Sequence, residues 1–138
     1  PLARAIRPDK LCLAALSATL LHYLKDEAER EVPVWRMIAA SPDEIRQRAE
    51  SWVAKLNIGE VIPGESTIGG GSLPGEILPT YLLALRLPSP DKQLARLRRA
   101  NPPVIARLLD DRLVFDPRTV LPDQEPDLLD AIRGLITG

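Results

Sequence analysis

The sequence predicts an α+β fold: a small antiparallel sheet with helices on one face, preceded by a long connecting helix. Three observations carry this. Helix-patterned segments lie upstream of Gly69-Gly70-Gly71, short strand-like runs lie downstream, and the glycines join the two regimes. The 138 residues suit one domain of ordinary size with a real core. They divide into a connecting segment with its helix, 1–30, and a small α+β domain, 31–138.

Hydrophobic residues make up 45% and charged residues 27%, a composition neither disordered nor membrane-embedded. No apolar run approaches the roughly 20 residues that span a bilayer, so no membrane partner is expected. The formal net charge of -1 does not predict a grip on nucleic acid from bulk charge. Cys12 is the single cysteine, which excludes an intrachain disulfide, speaks against a cysteine-based zinc site and fits a reducing cytoplasm. Neither a signal-like nor a transit-like pattern follows Pro1, and the chain reads as a piece of something longer.

Arg4 and Arg7 stand three residues apart and would share one face of a helix. Two guanidinium groups so placed suit a phosphate or carboxylate, and a solvated basic end is the alternative. Pro8 breaks the segment and Asp9 offers an N-cap. From Lys10 to Lys25, Leu13, Leu16, Leu20 and Leu24 repeat at helical spacing, widened by Cys12, Leu21 and Tyr23. Such a helix is expected to be buried on two sides or to pack against another domain or subunit. His22, the only histidine, has no partner of metal-ligand type nearby and reads as a packing or boundary residue.

Val32 to Ala40 reads as a short helix introduced by Pro33. Ser41-Pro42-Asp43-Glu44 is a capping box, and Ile45, Ala49, Trp52, Val53 and Leu56 form the inner face of the helix it starts, which ends near Asn57. Gly59 to Ser66 has the glycine spacing of a P-loop, but Glu65 stands where lysine is required and would repel phosphates. Ile58 to Ser66 is better read as a strand leading into the glycines.

The glycine stretch itself misses the dinucleotide fingerprint, because Pro74 stands where the last glycine would fall. Around Ser72 it also misses the nucleophile elbow at the final residue. It is expected to be the corner between two strands. Thr80 to Leu87, between Pro79 and Pro88, reads as a central strand. Lys92 to Ala100 reads as a short helix with Leu94 and Leu97 inward and Arg96, Arg98 and Arg99 in a basic cluster, ordinarily a solvated face. Val104 to Leu109 and Arg112 to Asp116 form a hairpin turned by Asp110-Asp111. Pro117 to Thr119 continues as edge or loop, and Asp123 to Thr137 closes the chain as a helix with Leu128, Leu129, Ile132, Leu135 and Ile136 inward.

Several stretches together resemble the C-terminal part of the bacterial selenocysteine synthase family, the L-seryl-tRNA(Sec) selenium transferases. They are Arg4-Ala-Ile-Arg7-Pro-Asp-Lys10-Leu with Leu13-Ala-Ala-Leu16, Pro33-Val-Trp-Arg-Met37, Gly69-Gly-Gly-Ser-Leu-Pro74, and Pro103-Val-Ile-Ala-Arg107 through Asp111-Arg-Leu113. The resemblance implies the small C-terminal domain of an aspartate-aminotransferase-like pyridoxal phosphate enzyme, cytoplasmic and assembled as a ring of dimers. Its partners would be seryl-tRNA(Sec) and selenophosphate.

The cofactor lysine would lie upstream. None of Lys10, Lys25, Lys55 or Lys92 matches its Gly-rich setting, so this piece alone would bind no cofactor and be inactive, with no catalytic residue of its own. By the same resemblance Arg4 and Arg7 match the arginine pair that binds the selenium donor's anion. Two alternatives stay open: a related pyridoxal phosphate lyase acting on a small amino acid or amino-sugar acid, and a stand-alone protein-interaction module.

Overall fold

The computed structural model describes residues 7–69 and 75–137. They belong to two compact units, Pro1–Ala39 and Ala40–Gly138.

The first unit is helical. Helix α1 (Lys10–Leu24) starts at Asp9, whose carboxylate accepts from the backbone N–H of Cys12 at 2.8 Å. That hydrogen bond holds the Asp9 carboxyl below its usual range. Two short helices follow, α2 (Ala28–Glu31) and α3 (Pro33–Ala39). No residue of α1 is buried, and Leu11 and Leu24 are more than 80% exposed. Of the two expectations for this helix, burial on two sides within the chain is not met among the described residues, and packing against another domain or subunit stays an expectation. A helix apolar on every side has no single stripe to turn inward. At its end His22 Nδ1 lies 2.9 Å from Glu27 Oε1, and Trp35 Nε1 donates to the Tyr23 hydroxyl.

The second unit confirms the α+β class. Helix α4 (Pro42–Leu56) begins with the full capping box: Ser41 Oγ accepts from Glu44 N, and Glu44 Oε2 accepts from Ser41 N at 2.8 Å. Asn57 ends it in the left-handed conformation, and Gly59, at φ +97°, turns the chain into the sheet. A Cβ at Gly59 would stand 2.5 Å from Leu85 Cδ2 and 2.9 Å from the Ala84 carbonyl oxygen, so both conformation and space demand glycine.

Strand β1 (Glu60–Thr67) pairs antiparallel with β2 (Ile77–Leu85), with Thr67 opposite Ile77. The strands on either side of the glycine stretch are therefore adjacent and antiparallel, while residues 70–74, on which the expected corner falls, lie outside the described residues. Helix α5 (Pro90–Arg98) leads to the hairpin of β3 (Arg107–Leu109) and β4 (Arg112–Phe115). Asp110 and Asp111 both have positive φ at its turn. The sheet order is β1-β2-β4-β3, which places β2 in the interior. Two 3-10 turns, Pro117–Thr119 and Pro122–Gln124, precede helix α6 (Glu125–Thr137).

Three expectations are corrected in detail. Strand β2 starts at Ile77 and runs through Pro79 rather than beginning after it. The N–H and C=O of one strand residue point to the same side, and the Pro79 carbonyl accepts from Arg118 Nη2 at 2.8 Å, away from β1. The proline therefore removes no rung of the β1–β2 ladder. On β1, Pro63 stands opposite Tyr81 and Glu65 opposite Pro79, and Arg107 Nη2 of β3 reaches the Glu65 carbonyl at 3.4 Å.

The first strand of the hairpin is three residues long, since Val104 and Ala106 enter the core without joining the ladder. Ile136 is exposed, one position off the inner stripe of α6.

Helices α4, α5 and α6 all pack on one sheet face, where Trp52, Leu94, Leu97, Leu128, Leu129 and Ile132 meet Leu83, Leu85, Leu113 and Phe115. On the opposite face Leu82, Ala84 and Val114 form a smaller buried cluster with Ile62 beside it. Arginines help roof that cluster. Arg112 Nη1 reaches across to Glu60 Oε1 at 2.9 Å while Arg107 reaches β1 at Glu65. Arg48 ties α4 to the start of α6, donating to Glu125 Oε1 and to the carbonyls of Pro117 and Val120 at 2.8 Å each.

Candidate functional site

Of the arginine pair, Arg4 lies outside the described residues. Arg7 is exposed and precedes α1 in a non-helical segment. His22 belongs to the first unit and is engaged with Glu27.

The second unit contains a cleft of about 690 Å³. Ser66 and Thr67 at the end of β1 form one side, the segment 102–105 another, and Asp116, Thr119, Val120 and Gln124 the rest. Apolar side chains from Val104, Ile105, Phe115 and Leu128 supply much of its lining.

Its polar end is built around Asp116. One carboxylate oxygen accepts from Ser66 Oγ, and the other accepts from Thr80 Oγ1 and from the backbone N–H of Arg118, both at 3.0 Å. The local sequence explains the placement. Asp-Pro at 116–117 ends β4 and caps a 3-10 turn, while alternation along β1 and β2 puts Ser66 and Thr80 on the same sheet face. Behind them Arg118 is buried and donates to the carbonyls of Ala40 and Pro79 at 2.8 Å. Burial pushes its pKa down, opposed by the nearby Asp116 charge.

Chemically the cluster is a lock. The Ser66 hydroxyl donates to a carboxylate, and among the described residues no imidazole or lysine joins it to make a nucleophile–base pair. Among the described residues no group of three or more His, Cys, Asp or Glu side chains could hold a metal ion. Among the described residues that line it, the cleft is apolar with one polar end and carries no nucleophile–base pair.

Sequence reasoning did not find Ser66, Thr80, Asp116 or Arg118. The Asp-Pro turn was a visible signal at one end. The partners lie 36 and 50 residues away and carry no motif.

Comparison with known proteins gives a consistent picture. The family model described as SelA, L-seryl-tRNA selenium transferase, matches residues 1–121. The chain is similar to the L-seryl-tRNA(Sec) selenium transferase of Solidesulfovibrio magneticus, at 44% identity over 90% of this chain and 29% of the relative. It is 42% identical to the protein of that name from Geobacter sulfurreducens, over 98% of this chain and 31% of the relative. For the Moorella thermoacetica protein the identity is 38%, over 100% of this chain and 32% of the relative. The chain thus spans about a third or less of the length of the relatives it matches.

Proposed function

Because this chain belongs to the L-seryl-tRNA selenium transferase family, we propose that it is the C-terminal part of a selenium transferase that converts seryl-tRNA(Sec) to selenocysteinyl-tRNA(Sec) with selenophosphate. The observation that carries the reading is the match of residues 1–121 to that family, supported by identities of 38–44% to three proteins bearing that name.

Pyridoxal phosphate is the cofactor proposed for the whole enzyme, where it would supply the electron sink for eliminating the serine hydroxyl. The residues present here do not fit its attachment. A Schiff-base lysine is activated by a desolvated pocket or a neighbouring cation, whereas Lys10, Lys25, Lys55 and Lys92 are all exposed and none lines the cleft. The attachment lysine is assigned to the part of the enzyme beyond the stretch matched here, and this chain alone is expected to be inactive.

Its own contribution to the chemistry would be Arg4 and Arg7. Paired guanidinium groups suit the tetrahedral oxyanion of the selenium donor, with charge-assisted hydrogen bonds that a single lysine could not direct as well. A cytoplasmic ring of dimers with the aspartate-aminotransferase-like fold completes the proposal.

The test uses the full-length enzyme with seryl-tRNA(Sec) and selenophosphate. Formation of selenocysteinyl-tRNA is expected. Turnover of a free small amino acid, with none of the tRNA-linked serine, would instead make the protein a related pyridoxal phosphate lyase.

A further inference from the structure

We propose that a basic face on the helical layer of the second unit, centred on Lys92, Arg96 and Arg99, contacts the phosphate backbone of seryl-tRNA. The inference rests on the seryl-tRNA reading above and adds a surface to it. Lys92, Arg96 and Arg99 recur at i, i+4 and i+7 along α5 and its C-cap, so they share one exposed side while Leu94 and Leu97 face the core. Arg96 Nη2 donates to the Gly134 carbonyl at 3.0 Å, which joins this side to α6. On α6, Arg133 reaches the Lys55 carbonyl of α4 at 3.5 Å. Arg96 of α5 and Arg133 of α6 thus each reach a backbone carbonyl of a neighbouring helix, and the unpaired basic residues concentrate on α5 and its C-cap, in a chain whose formal net charge is -1.

Helix stability does not account for them. Cations in the last turn of a helix complement its dipole, which serves Arg96 and Arg98, but Lys92 sits in the first turn, where the dipole disfavours positive charge. Among the described residues Lys92, Arg98 and Arg99 make no ion pair, whereas Arg46, Arg48, Arg112 and Arg133 each have a carboxylate partner. Like charges at i, i+4 and i+7 of one helix side repel one another modestly, and a polyanion would neutralise them. The polyanion in the proposed reaction is the tRNA. Its backbone would release counterions on meeting this face, which makes the contact salt-dependent and indifferent to base sequence.

The experiment measures binding of seryl-tRNA to the full-length enzyme by filter retention across a salt series, comparing wild type with the Lys92→Gln/Arg99→Gln double variant. Both residues are exposed and, among the described residues, make no side-chain hydrogen bond or ion pair, so folding should be unaffected. The expected result is weaker binding, about tenfold, and a slope of log affinity against log salt that is shallower by about two. A second variant works in the opposite direction: Asp91→Asn removes the acid next to Lys92 in the first turn of α5 and should tighten binding.

Unchanged affinity and slope in the double variant, with wild type binding seryl-tRNA, overturns the inference and leaves the enzyme reading intact. If wild type does not bind seryl-tRNA at all, the enzyme reading fails and the inference falls with it.

Discussion

Leu82 of the interior strand lies directly against Gly64 of its neighbour: a Cβ placed on Gly64 would stand 2.6 Å from Leu82 Cδ1 and 2.9 Å from Leu82 Cγ. Leu82 is 2% exposed and has little room to retreat. Gly64→Ala is expected to destabilise the protein by about 1–3 kcal/mol through overpacking, and Leu82→Ala by about 2–5 kcal/mol through the space it leaves. Made together they should cost less than their sum, because the small side chain at 82 admits the new methyl. Urea unfolding of the four proteins checks this, and strict additivity would mean that the two residues do not meet.

Asp116 should behave as the centre of the lock between β1, β2 and the turn after β4. Asp116→Ala leaves the buried Ser66 and Thr80 hydroxyls without their acceptor and removes the charge that opposes the desolvation of Arg118. A loss of about 2–3 kcal/mol is expected. Removing the donors as well, with Ser66→Ala and Thr80→Val, should recover part of it in a double-mutant cycle on unfolding free energies.

The capping box of α4 should make stability depend on pH in the acid range. The Ser41 backbone N–H, followed by its hydroxyl, holds the Glu44 carboxyl below the usual glutamate range. A carboxyl whose folded pKa is depressed contributes stability that is fully present above its unfolded pKa and is lost as the pH falls through the folded one. Thermal unfolding should therefore show a midpoint that drops as pH descends below the ordinary glutamate value, with a smaller drop in Glu44→Gln. Identical profiles for the two proteins would remove Glu44 from the account.

For Arg4 and Arg7 the expected outcome is functional. Changing both to alanine in the full-length enzyme should abolish selenium transfer while leaving folding and assembly intact, as read by turnover with selenophosphate alongside sedimentation. Undiminished turnover would make them a solvated basic end.

Most of the fold was legible because its signals are local. The capping box at Ser41 to Glu44, the paired aspartates at the hairpin and the inner stripe of α6 each lie within a few residues of what they specify. The start of β2 was misread because Pro79 looks like a boundary in one dimension. Its carbonyl partner, Arg118, is 39 residues away. The Asp116 lock escaped for the same reason, as did the link from Arg96 to α6, whose partner at Gly134 is 38 residues on. Local patterns specify elements, whereas cross-element hydrogen bonds depend on a topology that no short window contains.

Strand β1 lies at a margin of the sheet, and Pro63 stands in its middle without an N–H to offer. A strand from another molecule that tried to extend the sheet there would find no donor at Pro63. Edge-to-edge association is thereby discouraged along the exposed margin. The same proline that interrupts the sequence pattern leaves the margin of the sheet one donor short as a template for a further strand.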